Sequence, residues 1–359
     1  MITRPDPIYA MITRAFLEED VVALLRYNKR KLLPLVENKG QNTVFPSLSS
    51  APAGSSKLKS LGLTRRELLQ QGGALAAVLA CGVTAVAVDA KVSAPANRRR
   101  IYKSCKWGMI ETGGSVLEKF QVCKEVGFDG MELISPSELK SDEVVRASLA
   151  TGMPVHGLVD MKHWDIRLSS PDSAVRTEGR QLLEQAIRDC HAFGGFSVLL
   201  VPGKVNGADE THDDVWQRSI PEIRQVLPTA SKLGVQVLIE NVWNGFCEKP
   251  EEMRDYLDEI NSPWVGAYFD IGNVRKFGPS EDWIRTLGRR IVKLDVKDWG
   301  QSNGFCKIGD GDVNWAAVRK ALAELEFTGW CTAEVTGGDR AELADIARRM
   351  DSVLAIEHA

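Results

Sequence analysis

Hydrophobic and polar positions change their rhythm along this chain. From Tyr102 to the C-terminus, short apolar runs of strand length alternate with longer amphipathic segments. The runs lie at 106–110, 130–134, 154–158, 197–201, 235–240, 265–270, 291–295 and 330–334. The segments between and after them predict helices near 115–126, 142–151, 173–193, 214–233, 250–260, 280–287, 315–325 and 339–356. Gly127, Gly194 and Gly234 stand where three of these helices should stop. Pro221 and Pro228 predict a break or kink in the fourth helix. Strict alternation of strand and helix implies a parallel sheet. Eight units in about 255 residues match an α/β fold of one kind, the closed (β/α)8 TIM barrel. An open doubly wound sheet wants a GxGxxG loop after its first strand, and Glu111-Thr-Gly-Gly-Ser115 does not supply one.

The first hundred residues lack this rhythm. Met1-Ile-Thr-Arg4 recurs at Met11-Ile-Thr-Arg14, and Ser, Pro, Gly and Ala dominate 46–56, a composition expected to be disordered. Arg65 and Arg66, followed by Leu68-Leu69 and the weakly apolar run 72–88, resemble a twin-arginine export signal over about 61–90. The run is rich in Gly and Ala and short for a membrane span. Ala85-Val86-Ala87 reads as a cleavage site, and Cys81 in Val78-Leu-Ala-Cys-Gly82 as an alternative lipidation site. The expected layout is therefore an N-terminal extension (1–100) with its signal and linker, then a barrel (101–359). The expected route is the twin-arginine export machinery, and the expected location periplasmic, with lipoprotein anchoring through Cys81 as the alternative.

Composition narrows the partners. A hydrophobic fraction of 44% and a charged fraction of 26% belong to a soluble globular chain. The formal net charge is −3 and Lys and Arg are scattered, which argues against nucleic acid. Seven cysteines without a CxxC read as small buried apolar residues rather than a disulfide framework. Oligomeric state is not written in the sequence.

The candidate chemistry lies in the last four strands, which end in Glu240, Asp270, Asp295 and Glu334. A barrel carries its active site at the C-terminal ends of its strands, and Glu132 and His156 sit near the same level. Residues i and i+2 share one side of a strand. Lys293, Asp295 and Lys297 therefore point inward, while Val292, Leu294 and Val296 face the helices, which places Lys293 beneath the acids. Separate helix caps and surface ion pairs are the plainer account of any one such acid. Four consecutive strands ending this way favour convergence instead. Four converging carboxylates do not all stay ionised without a cation. An all-oxygen set favours Mg²⁺ or Mn²⁺ over Zn²⁺.

Several segments resemble the sugar phosphate isomerase/epimerase group of xylose-isomerase-like barrels. They are Ile239-Glu-Asn241, Ile260-Asn-Ser-Pro-Trp264 leading to Phe269-Asp-Ile-Gly-Asn273, Lys293-Leu-Asp-Val-Lys-Asp298, Ile308-Gly-Asp-Gly-Asp-Val-Asn-Trp315 and Gly329-Trp-Cys-Thr-Ala-Glu334. That group includes L-xylulose 5-phosphate 3-epimerases, D-tagatose 3-epimerases, hydroxypyruvate isomerases and inosose dehydratases. The resemblance implies one divalent metal ion on Glu240, Asp270, Asp295 and Glu334, with Asp295 standing where the group usually has histidine. Mn²⁺ or Mg²⁺ is favoured, with Zn²⁺ or Co²⁺ as alternatives. Glu240 and Glu334 are implied as the acid–base pair that moves a proton next to a carbonyl, through an enediolate that the metal stabilises. Opposite-face return of the proton epimerises, return to the neighbouring carbon isomerises, and loss of a β-hydroxyl dehydrates.

Glu132, His156, His163, Asn241, Asn273 and Lys293 are the candidate substrate-binding residues. An ion pair with Lys293 is the alternative for Glu132, and a core role the alternative for His156. The loops 159–171 and 299–307 are candidate lids. The function expected is a metal-dependent isomerase or epimerase of a sugar or keto-sugar, unphosphorylated if the protein is exported. A keto-sugar or inosose-type dehydratase on the same site is the runner-up. A non-catalytic sugar-binding protein is a third reading, against which two retained proton-transfer glutamates argue. An apurinic-site endonuclease would need a histidine-rich multinuclear zinc site, and the four histidines within the barrel do not supply it.

Overall fold

Each strand–helix unit buries its apolar stripe only if its neighbours cover it, and eight of them do so by closing a ring. The computed structural model describes residues 101–356; the expected export signal with Arg65, Arg66 and Cys81 lies outside the described residues. The strands are β1 (Ile101–Lys106), β2 (Gly130–Ser135), β3 (Val155–Asp160), β4 (Ser197–Leu200), β5 (Gln236–Glu240), β6 (Val265–Asp270), β7 (Ile291–Val296) and β10 (Gly329–Ala333). They pair in parallel in that order, and β10 closes back on β1. After β7 the chain adds an antiparallel hairpin, β8 (Asp298–Gly300) and β9 (Gly304–Cys306).

The helices are α1 (Val116–Glu125), α2 (Ser141–Thr151), α3 (Ser173–Phe193), α4 (His212–Leu233), α5 (Pro250–Ile260), α6 (Ser280–Leu287), α7 (Trp315–Glu324) and α8 (Arg340–Leu354). Their starts follow from local chemistry. Ser115 and Thr211 form capping boxes with Glu118 and Asp214, and Asp172 and Asp339 cap α3 and α8. Most of the core lies between sheet and helices. A small second cluster, Leu199, Leu238 and Tyr268, shares strand parity with Glu240 and Asp270 and so fills the barrel's interior.

Three expectations need correction. The first strand is Ile101–Lys106, not 106–110, and Trp107–Met109 form a 3-10 turn. Lys103 faces outward, where it pairs with Asp351 of α8 at 2.5 Å. Lys106 therefore ends β1 on the inward side, at the mouth. The fourth helix is continuous through Pro221 and Pro228. Each internal proline costs roughly 3 kcal/mol, but buried Val215, Ile220, Ile223 and Val226 contribute about 1.5–3 kcal/mol apiece. Lastly, a register shift between β6 and β7 inserts Val292. It packs against the interior cluster instead of the helices. The alternation predicted for Lys293 to Val296 holds beyond that bulge.

Candidate metal centre

Parallel strands carry Glu240, Asp270 and Asp295 to one end of the barrel, and Glu334 follows β10 directly. Each offers a carboxylate oxygen within 4.8 Å of the others. Backbone and amide groups hold them there. Asn273 N–H donates to Asp270 Oδ1 at 2.7 Å, and Asn273 Nδ2 faces Glu240 Oε1 at 3.5 Å. Asp270 Oδ2 and Asp295 Oδ1 are buried and accept no hydrogen bond, although Lys297 Nζ comes within 3.4 Å of the first.

Two lysines meet this cluster. Lys106 Nζ lies 3.0 Å from both Asp295 Oδ2 and Glu334 Oε2 and 3.8 Å from Glu132 Oε2. Lys297 Nζ lies 3.1 Å from Glu334 Oε1. Burial opposes the charge on both, but their acidic neighbours raise both pKa values. Burial likewise opposes ionisation of Glu334, yet Lys106 and Lys297 hold its carboxyl well below the usual range. The other three move the opposite way. Burial, with Glu334 adding to it, pushes Glu240 well up. Burial raises Asp295 well up against the pull of Lys106, and Asp270 to about 6 against the pull of Lys297. A cation among them would reverse those rises and take up the free lone pairs. The donors are all oxygens, so a hard divalent ion fits the residues present.

Of the predicted substrate contacts, several are committed elsewhere. Lys293 and His156 are buried, and they form the floor of the site rather than its mouth. Lys293 Nζ donates to His156 Nδ1 at 2.6 Å and to its carbonyl at 2.8 Å. That leaves Nε2 to carry the ring proton toward Ser104 Oγ, 2.5 Å away. The ring stacks on Trp330, 4.5 Å between centroids. Burial and then Lys293 hold the imidazole pKa well below its ordinary value, and burial lowers Lys293 to about 8. Gly157 leaves room for this pair: a Cβ there would lie 2.7 Å from Lys293 Nζ.

Glu132 takes Tyr268 O–H at 2.8 Å, and the lysine within 4 Å of it is Lys106, at 3.8 Å, while Lys293 acts on it from farther off. Asn241 exchanges two hydrogen bonds with the Asp270 backbone, at 2.8 and 2.9 Å, and Asn273 bonds Asn241 O at 3.0 Å. Both amides therefore brace Asp270 and Glu240. His163 accepts Val201 N–H on Nδ1 at 3.2 Å, so its proton sits on Nε2. Burial and then Lys106 lower its pKa to about 3.

Asp160, at the end of β3, was not singled out in the sequence. Burial raises its carboxyl to about 6 against one backbone N–H bond from Lys162. A raised carboxyl makes folding less favourable once ionised, above about pH 6, and the penalty fades as pH falls toward the unfolded value. Asp160→Asn is therefore expected to raise stability by about 1–3 kcal/mol at pH 8 and by much less at pH 4, read from urea midpoints.

The model of the xylose isomerase-like TIM barrel family matches residues 120–354. An L-ribulose-5-phosphate 3-epimerase of Escherichia coli K12 is 25% identical over 264 residues, covering 68% of this chain and 91% of its own. Among solved structures, a D-allulose 3-epimerase from Methylomonas sp. in complex with D-allulose superposes with a TM-score of 0.60 at 17% identity. That match covers 71% of this chain and 97% of the other. A 3-keto-D-glucoside 4-epimerase from E. coli gives 0.60 at 16%, covering 72% and 100%. At those identities the structural matches speak to the fold.

Proposed function

Because this chain belongs to the xylose isomerase-like TIM barrel family, we propose that it is a divalent-metal-dependent epimerase or isomerase of a sugar or keto-sugar. The observation that carries this is the convergence of Glu240, Asp270, Asp295 and Glu334 within 4.8 Å at the barrel mouth. Those four residues would hold the ion, Mn²⁺ or Mg²⁺ by the hardness of the donors. When bound, the ion supplies Lewis-acid stabilisation of charge on a substrate oxygen.

The remaining work falls to the chain itself. Glu240 and Glu334 are the two proton carriers: one removes the proton next to the carbonyl and the other returns it. In a reversible epimerisation each serves as base for one epimer. Lys106 and Lys297 keep Glu334 ionised and offset the negative charge of the cluster. Asn273 and Asn241 fix the orientation of Glu240 and Asp270. His163, neutral with its proton on Nε2, is a donor suited to a substrate oxygen. The relative named for L-ribulose-5-phosphate and the fold neighbours named for allulose and a keto-glucoside support a ketose or keto-sugar substrate.

The test is solvent exchange. Full-length protein with Mn²⁺ is incubated in D₂O with a panel of ketoses, and deuterium is expected at the carbon beside the carbonyl of at least one. Absence of exchange with every ketose, in protein shown to carry the metal, would contradict the reading.

Export remains part of the proposal. The twin arginines Arg65 and Arg66 and the apolar run behind them support delivery to the periplasm through the twin-arginine machinery. An unphosphorylated substrate follows from that location.

A further inference from the structure

Among the described residues, six large apolar side chains are well exposed, and four of them sit at the mouth, Met161, Trp164 and Trp243 on loops and Phe305 in β9. Single exposed apolar residues are ordinary, but clustering around a polar cleft marks a binding surface. Two of the four form one platform. Trp243, on the loop after β5, and Phe305, on the β8–β9 hairpin, lie 4.7 Å apart between ring centroids and are tilted by 32°. Trp299 backs Trp243 edge-on at 6.0 Å. Even so packed, Trp243 stays 38% exposed and Phe305 49%.

The platform is built rather than draped. Buried Asp298 accepts bonds from Gly309 N at 2.8 Å and Trp315 Nε1 at 2.9 Å, which fixes the root of the hairpin. Asp312 takes Gln301 N at 2.7 Å and donates its own N–H to Trp299 O at 2.9 Å. Trp243 is held by its Nε1 bond to Asn273 O at 2.7 Å, and Asn273 in turn bonds Asp270. On the other side, Lys297 Nζ lies 4.8 Å from the Phe305 ring centre while touching Glu334 at 3.1 Å. One ammonium thus separates the aromatic surface from a candidate proton carrier, so the platform starts about one sugar ring away from the carboxylates.

Taking the proposed sugar chemistry as given, we infer that Trp243 and Phe305 form a second subsite, which binds the next ring of a two-ring substrate, a glycoside. A pyranose presents a face of C–H groups that suits an aromatic surface, and its hydroxyls keep the rim wet. Lys276 Nζ, 4.7 Å from the Trp243 ring, is an exposed donor placed to meet those hydroxyls. A substrate of one ring, seated on the carboxylates, would not use the platform.

The experiment is calorimetric titration of full-length protein with saturating Mn²⁺. The probes are cellobiose, maltose, lactose and the 4-nitrophenyl glycosides of glucose and galactose, each beside its parent monosaccharide. At least one two-ring probe is expected to bind about tenfold more tightly than its parent, the order expected of one aromatic contact. Phe305→Ser should remove most of that gain and leave monosaccharide and Mn²⁺ affinity unchanged; Trp243→Ala should also remove most of the gain, and Trp243→Phe should retain part of it. If no two-ring probe exceeds its parent, or the gain survives both substitutions, the subsite is wrong. It is also wrong if Phe305→Ser abolishes self-association and leaves sugar binding untouched, which would assign the patch to a protein contact. Failure of the metal-epimerase reading shows separately, as absence of Mn²⁺ binding or of solvent exchange in the unaltered protein.

Discussion

Glu240→Gln and Glu334→Gln are each expected to lower turnover by about 10²–10⁴-fold, the contribution of one positioned acid or base. Glutamine keeps the length of the side chain and an oxygen donor, but it cannot carry the proton. The two losses should differ in kind. With one glutamate left, a substrate whose proton faces it still exchanges with solvent, though it cannot be turned over. Each single variant should therefore wash deuterium into one substrate face and not the other, and the faces should be opposite for the two variants. Proton NMR in D₂O reads both quantities in one sample. Equal exchange at both faces in either variant would remove that glutamate from the proton path.

Lys106→Met is expected to destabilise the metal-free protein by about 3 kcal/mol and to strengthen divalent-metal binding. Lys106 contacts Asp295 and Glu334 at 3.0 Å each, and of the two it is Glu334 that it helps keep ionised. Removing the cation from such a pair leaves a buried charge uncompensated, which typically costs 3–5 kcal/mol. The lower end applies because Lys106 is 16% exposed and Glu334 30%. A divalent ion supplies the missing positive charge, so Mn²⁺ should restore stability in the variant more than in the unaltered protein. Urea unfolding with EDTA and with Mn²⁺ measures the difference. An unchanged midpoint in EDTA would show that Lys106 does not balance the acids.

The four acids were legible because nothing about them depends on fine geometry. Each ends a run of apolar residues, and a parallel barrel brings strand ends together whatever the loops do. Lys106 was not legible, and the reason lies in the strand that carries it. The inward face of Ile101–Lys106 is Tyr102, Ser104 and Lys106. A strand whose inner face binds polar partners loses the apolar signature, so the more hydrophobic Trp107–Ile110 drew the prediction instead. Lys297 could be placed inward by parity alone. The partners of Lys293 could not, because His156 reaches it from across the barrel, 137 residues away in sequence. Asn241 and Asn273 looked like substrate contacts because they flank Glu240 and Asp270. Their bonds to the backbone and to Glu240 and Asp270 are set by tertiary packing and require coordinates. The aromatic platform was divided in the same way. Trp243 follows Glu240 by three residues, but Phe305 was only part of a loop until the hairpin set it against Trp243.

The central claim is that Glu240, Asp270, Asp295 and Glu334 form one divalent-metal site. The most direct test is an Mn²⁺ titration of the full-length, metal-stripped protein followed by electron paramagnetic resonance. One Mn²⁺ per chain is expected, lost in the Asp270→Asn/Asp295→Asn double variant and retained in Phe305→Ser. Absence of stoichiometric binding at millimolar Mn²⁺, or binding that the double variant leaves intact, would contradict it.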